Sequence, residues 1–241
     1  MPFVDIHCHI MPGVDDGARD EEMSLAMLRV AAAEGIEHVI LTPHHKPGYR
    51  NVSAAGIVRR TKALQALCDA EKIPVALHTG CELYYYEEAL PLIEAREIAP
   101  LAGSRYVLVE FYPAEPYTQI RNAVYALSGL DVRPVIAHVE RYGEVVSDIT
   151  RVRELHDMGC LLQVNALTIT GHYGRGLRSF AKQALKEGLI SFVATDAHRL
   201  STRAPHLKEA YRYVTAKIGA AYAQKIFYDN AMCLIRHEDI A

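Results

Sequence analysis

Short apolar runs alternate with amphipathic stretches along the whole of this 241-residue chain. Such alternation restricts it to repeated βα units, which build a largely parallel sheet covered by helices. Seven runs have strand character: Val4–Ile10, His38–Thr42, Val75–Gly80, Tyr106–Phe111, Pro134–His138, Cys160–Val164 and Ser191–Thr195. Helical patterns such as EEMSLAMLRVAAAEG and VRRTKALQALCDAEK lie between them, and Gly35, Gly159 and Gly188 each stand where a left-handed residue would stop a helix before the next strand. The last pattern, HLKEAYRYVTAKIGAAYAQKIFYDNAMCLIRH, reads as two helices closing a barrel. No internal repeat, low-complexity tract or Pro/Gly/Ser linker divides the chain, so the expectation is one domain over residues 1–241, an α/β barrel of seven strands.

Charge and cysteine usage remove several classes of function. The 26 Lys and Arg against 29 Asp and Glu give a net charge of −3 with no basic run, which disfavours a nucleic-acid partner. No segment reaches the roughly 18 apolar residues of a membrane span, and MPFVDIHCHI is not a signal peptide, so the sequence predicts a cytoplasmic protein without membrane insertion. Five cysteines at irregular positions suit reduced thiols. A thiolate phosphatase would need arginine six positions after its cysteine. The residues there are Val14, Pro74, Glu87, Ala166 and Asp239, which excludes that chemistry.

Polar residues of one kind recur where the strands end. His7 and His9 share a strand face by their i, i+2 spacing, with Ile6 and Cys8 expected on the other. His44 follows in LTPHH, Glu82 in TGCELYYY, Glu110 in VLVEF, His138 in VIAHVERY, and Asp196 and His198 in VATDAHR. Six of seven strands ending in an acid or imidazole are poorly explained by core packing, because each such group buried alone would cost roughly 1–3 kcal/mol. The C-terminal face of a βα barrel is where active sites are built, so the pattern points to a metal site. Imidazole and carboxylate without cysteine suit Mn, Fe or Zn. The donors suffice for two or three divalent ions, one carboxylate bridging a pair about 3.5–4 Å apart and a bound hydroxide serving as nucleophile toward phosphorus.

In this order, DIHCHI…VDDG, TPHH, GCELYY, VEF, AHVERY and TDAH resemble the polymerase-and-histidinol-phosphatase (PHP) superfamily, and within it the CpsB/YwqE type of bacterial protein tyrosine phosphatase, from residue 5 to about residue 235. The resemblance implies a distorted seven-stranded βα barrel. It implies that His7, His9, Glu82 and Asp196 surround one ion, with Glu82 bridging to a second held by Glu110 and His138, and that Asp16, His44 and His198 take a third; Asp15, adjacent to Asp16, is the alternative ligand. Arg141 and Arg203 match arginines that hold the phosphate. It further implies manganese as the metal and, as substrate, the tyrosine-rich tail of a bacterial tyrosine kinase that controls exopolysaccharide and capsule synthesis. Lys46 and Arg50 are weaker candidates for the phosphate. Tyr84, Tyr85 and Tyr86 read as packing and loop aromatics, Tyr84 or Tyr112 being placed to meet an aryl ring, and no residue stands out as a general acid.

Three other functions compete. An amidohydrolase or TatD-like metal hydrolase also opens on HxH, but lacks the Asp-x-His ending and the third ligand set. A PHP phosphoesterase on a small molecule such as histidinol phosphate shares every ligand. A catalytically silent metal-stabilised scaffold would be expected to have lost ligands, and none is missing here.

Overall fold

The computed structural model describes residues 1–240. Nine short strands run Phe3–Cys8 (β1), Ile36–Leu41 (β2), His44–His45 (β3), Ala76–Thr79 (β4), Glu82–Tyr84 (β5), Tyr106–Glu110 (β6), Arg133–Ile136 (β7), Leu161–Asn165 (β8) and Phe192–Ala194 (β9). They form two sheets, β1-β2-β4 and β3-β5-β6-β7-β8-β9, in which every pairing is parallel. Together they make a curled half-barrel with helices on its outer side, so the expectation of a parallel α/β architecture holds.

Each of the seven expected runs overlaps one of the strands, with ends differing by at most two residues; β3 and β5 fall outside them. Both short strands follow an interruption. β2 stops before Thr42 and Pro43, and proline has no N–H with which to continue the ladder. β4 stops at Gly80, where a Cβ would lie 2.9 Å from Ile40 Cγ2 and 3.2 Å from Leu101 Cδ2, so the chain passes its neighbours only without a side chain. Beyond these breaks Glu82 N donates to Pro43 O at 3.0 Å and pairing resumes, with His44 opposite Glu82. The interruptions thereby bring those two side chains level.

Val4, Ile6, Ile40, Tyr106, Leu108, Val135, Ala137, Leu161, Phe192 and Ala194 form a core inside the curl, closed below by Ala231 and Leu234. A second core lies between sheet and helices and includes Cys8, Val39, Val107, Val109, Ile136, Leu162, Val164 and Val193. Even-numbered residues of β6 face inward, which carries Glu110 to the top of the curl. On β1 the alternation breaks. Ile6 packs in the inner core and Cys8 in the outer one, with a register shift against β2 between Asp5 and Cys8. This irregularity lets His7 and His9 face the same site as Glu110, and Ile6 does not share the side of Cys8 as simple alternation requires.

The segment after β9 lies along β1: Asp196 N donates to His7 O at 2.8 Å, and His9 N to Ala197 O at 2.8 Å. Below them buried Asp5 accepts from Thr195 through both its backbone N–H and its hydroxyl. Gly35, Gly159 and Gly188 have φ of 80°, 89° and 73°, the left-handed helix stops expected of them. The C-terminal pattern splits at Gly219 (φ 143°) into Lys208–Lys217 and a helical run from Ala220 to Arg236 that includes one π turn, Lys225–Asp229. Among the described residues no helix is long and apolar enough to cross a membrane.

Candidate metal centre

The strand C-termini and the loops beyond them bring all nine expected donors into one cluster. Glu82, opening β5 and almost wholly buried, is at its centre: Oε1 lies 2.8 Å from His138 Nε2 and 3.2 Å from His7 Nε2, and Oε2 lies 3.2 Å from His9 Nε2 and 3.0 Å from His44 Nδ1. Glu110, at the end of β6, places Oε1 3.1 Å from His44 Nδ1 and Oε2 3.7 Å from His138 Nε2. Asp16 Oδ1 stands 3.4 Å from His44 Nε2 and 3.5 Å from His198 Nε2. Asp196 Oδ1 is 3.6 Å from both His7 Nε2 and His9 Nε2.

Three overlapping sets have donor atoms all within 4.8 Å of one another: His9, Asp16, His44 and His198; His7, His9 and Glu82; and His44, Glu82 and Glu110. Glu82 belongs to two of them, the arrangement a bridging carboxylate requires. His9 joins the set expected for the third ion, while His138 and Asp196 stand beside the sets.

The donor chemistry fits divalent ions on an observation of the site itself. His44 Nδ1, Glu82 Oε2 and Glu110 Oε1 are buried without a hydrogen-bond partner, although the nitrogen lies 3.0 Å from the first oxygen and 3.1 Å from the second. Buried polar atoms are normally paired. These three approach closely with their lone pairs and N–H directions misaligned, as ligands converging on a shared cation would.

The adjacent aspartates divide their work. Asp15, half-buried, sits behind His9: its Oδ2 accepts from His9 Nδ1 at 2.8 Å and from His44 N at 3.1 Å, and its Oδ1 from Gly17 N at 3.0 Å. That leaves His9 Nε2 free toward Glu82, and leaves Asp16 as the member of the pair that reaches the cluster. The turn folds back tightly here; a Cβ on Gly17 would sit 2.0 Å from the His9 carbonyl oxygen.

Charge in the cluster is strongly coupled. Burial opposes protonation of His9 and His44, yet Asp15 and Glu82 raise His9 to about 9, and Asp16, Glu110 and Glu82 raise His44 to about 12. His7 is raised against the same burial by Glu82 and Asp196. His198 is lowered by burial, which outweighs Asp16. The hydrogen-bonded imidazoles of His198 and His44 hold Asp16 far below the usual carboxylate range. Burial would raise Glu82 and Asp196, but His7, His138 and His44 hold Glu82 low, and His7, Arg141, His138 and Arg203 hold Asp196 low.

Arg141 and Arg203 converge on the one carboxylate of Asp196, Arg141 Nη2 on Oδ2 and Arg203 Nη2 on Oδ1 at 2.5 Å. Two guanidiniums on a single carboxylate leave positive charge to spare at the mouth. Lys46 also reaches the site, 3.2 Å from Glu110 Oε1 and 5.8 Å from the Tyr84 ring centroid, whereas Arg50 is exposed and pairs with nothing in the cluster. Tyr85 packs on Phe111 and Tyr86 stacks on His45, as packing aromatics; Tyr112 is exposed. The residues that strand-end reasoning passed over are Gln163 and Asn165, fully buried on β8. Their signal was available: LLQVN is the one strand ending without an acid or imidazole, and its two amides alternate toward the site.

The fold and the donor set define a metal-dependent α/β hydrolase. More narrowly, the chain belongs to the capsular polysaccharide synthesis family CpsB/CapC, which it matches over residues 3–236. It is 33% identical to the tyrosine-protein phosphatase CpsB of Streptococcus pneumoniae, covering 97% of this chain and 98% of that one. It is 32% identical to the tyrosine-protein phosphatase YwqE of Bacillus subtilis, covering 99% and 93%. A crystal structure from work on YwqE of B. subtilis and CpsB of S. pneumoniae, described as unique metal-dependent tyrosine phosphatases, superposes with a TM-score of 0.93 at 32% identity over 99% of this chain and 96% of that one. The phosphotriesterase homology protein of Escherichia coli, at a TM-score of 0.63 and 10% identity, covering 95% and 97%, shares the fold alone.

Proposed function

We propose that this chain is a metal-dependent phosphomonoesterase that removes phosphate from phosphotyrosine in a protein partner. The observation that carries this reading is the convergence of Arg141 and Arg203 on Asp196 at the edge of a buried imidazole–carboxylate cluster centred on Glu82. We assign the nine donors His7, His9, Asp16, His44, Glu82, Glu110, His138, Asp196 and His198 to two or three divalent ions, manganese first, with Glu82 as the bridge. Bound there, the ions would neutralise phosphoryl charge and activate water for attack on phosphorus.

The protein's own groups then have separable tasks. Asp15 holds His9 with its Nε2 toward the ligand position. Arg141 and Arg203 release part of their interaction with Asp196 to the incoming dianion and orient it. Lys46 approaches from the side of Glu110 and adds positive charge there. Charge alone would accept any phosphomonoester; the leaving group supplies selectivity. A tyrosine phenol, with a pKa near 10, departs with little help, whereas a serine alkoxide needs a proton from an acid, and no side chain stands out in that role.

We further read the two sheets as one distorted ring of seven strand lines, β2 continuing into β3 and β4 into β5, and the partner as the tyrosine-rich tail of a bacterial kinase governing capsule or exopolysaccharide synthesis, met in the cytoplasm. The test is kcat/KM on matched peptides carrying phosphotyrosine or phosphoserine, with histidinol phosphate alongside, in the presence of Mn²⁺. The reading expects phosphotyrosine to be preferred by more than tenfold. Equal or better turnover of phosphoserine or histidinol phosphate overturns the tyrosine assignment.

A further inference from the structure

Strand β8 contributes no ligand, yet its two inward amides hold three of them. Gln163 Oε1 accepts from the backbone N–H of His138 at 2.8 Å and lies 3.0 Å from His7 Nδ1. Gln163 Nε2 donates to Asn165 Oδ1 at 2.8 Å, and Asn165 Nδ2 donates to Asp196 Oδ2 at 2.9 Å. All of these side chains are buried.

The direction of the chain is forced from one end. A backbone N–H can only donate, so the atom facing His138 N is the amide oxygen, and that fixes both amide flips in turn. The same oxygen can only accept from His7 Nδ1, so His7 carries a proton on Nδ1 and turns Nε2, the atom that would bind an ion, toward Glu82 and Asp196, 3.2 and 3.6 Å away. A ligating histidine ordinarily needs such an acceptor behind it.

The backbone adds a second demand. His138 has φ 31° and Asp196 φ 52°, left-handed values that are uncommon and costly for residues with a Cβ. Gln163 secures the N–H of the first and Asn165 the carboxylate of the second. Glu140 supports Asn165 in turn, its Oε1 accepting from Asn165 N at 2.9 Å and from Thr168 Oγ1 at 2.7 Å.

We propose that Gln163 and Asn165 are positioning residues for the metal centre: Gln163 sets the His7 tautomer and the His138 backbone, and Asn165 restrains Asp196 against the pull of Arg141 and Arg203. The inference rests on the metal-site reading above, and its test is the binding of Mn²⁺ alone. Gln163→Met keeps the length of the side chain and removes the acceptor; Gln163→Glu keeps the acceptor toward His7 and His138 and loses the donor to Asn165. Mn²⁺ titration calorimetry on metal-stripped protein should show Gln163→Met binding about 10–100-fold more weakly than wild type, with Gln163→Glu restoring only the part that falls on His7 and His138. Asn165→Leu should weaken binding similarly, and thermal melting of the stripped proteins identifies any variant that does not fold. In Zn²⁺-loaded protein labelled with ¹⁵N-histidine, the Nδ1–H correlation of His7 should be present in wild type and in Gln163→Glu, and altered in Gln163→Met. Folded Gln163→Met that binds Mn²⁺ as tightly as wild type, or an unchanged His7 correlation in it, overturns the proposal. A phosphatase assay on the wild type fails independently of this titration, so loss of the functional reading and loss of this one are distinguishable.

Discussion

Metal uptake by this cluster must displace protons, and two of them, from His9 and His44, can be worked from the side chains. In the metal-free protein burial opposes charge on His9, but Asp15 and Glu82 outweigh it and lift the imidazole to about 9; against the same penalty Asp16, Glu110 and Glu82 lift His44 to about 12. Both rings are then imidazolium at neutral pH, while in the unfolded chain both titrate near the ordinary value of about 6.5. Their stabilisation of the metal-free fold is therefore full below about pH 6.5 and is lost as pH rises, by about 2.7 kcal/mol per unit for two protons until His9 begins to release its own near 9. With ions bound both rings are neutral, as in the unfolded chain, and this loss disappears. The stability added by a fixed free concentration of Mn²⁺ should thus grow by at least about two decades in the folding constant per pH unit between about pH 7 and 8.5, His7, raised as well, only adding to it. Urea unfolding in EDTA and in Mn²⁺ across that range measures the slope. Asp15→Asn removes the carboxylate 2.8 Å from His9 Nδ1 and should lower the slope by up to about one decade. An increment that does not change with pH, or is identical in the variant, refutes the reasoning.

Other outcomes follow from the same geometry. Arg141→Ala and Arg203→Ala should retain the bound metal and lower kcat/KM on a phosphotyrosine peptide about 10²–10³-fold each, checked by steady-state kinetics beside metal analysis. Iodoacetamide should leave turnover intact, because burial raises Cys68 to about 11 and Cys81 and Cys160 to about 12, and raises Cys8 and Cys233 as well. Burial also raises Asp5 to about 6 despite its bonds from Thr195, so the folded state prefers it protonated. In EDTA, wild type should gain about 1.4 kcal/mol relative to Asp5→Asn between about pH 7.5 and pH 5, a gain present at low pH and lost as pH rises through 6; equal pH profiles in urea unfolding would contradict that assignment.

Periodicity made the parallel architecture legible because seven runs are long enough to show it and glycines mark the helix ends. It could not reveal β3 and β5, which are two and three residues long and exist because Pro43 and the crowding at Gly80 interrupt longer strands. Residue type at the strand ends was enough to single out eight of the nine clustered side chains, since acids and imidazoles have no packing reason to recur there; Asp16, in a turn, entered only through the family resemblance. How those donors group was not legible. His9 falls within reach of two sets through a register shift on β1, and Asp15 and Asp16 are told apart by a turn whose path depends on Gly17. Gln163 and Asn165 escaped because amides inside a strand look like interrupted core; their meaning depends on His7 and His138, 156 and 25 residues away from Gln163 in the chain.

The central claim is that the cluster around Glu82 holds divalent ions that carry phosphotyrosine hydrolysis. Its most direct test is to strip the protein with a chelator, titrate Mn²⁺ back, and read bound metal and phosphotyrosine-peptide turnover on the same samples, for wild type and Glu82→Ala. The account predicts no turnover in the stripped protein, recovery in step with bound Mn²⁺, and in Glu82→Ala both reduced metal content and no recovery. Full turnover by stripped wild type, or normal turnover with a full metal complement in Glu82→Ala, would contradict it.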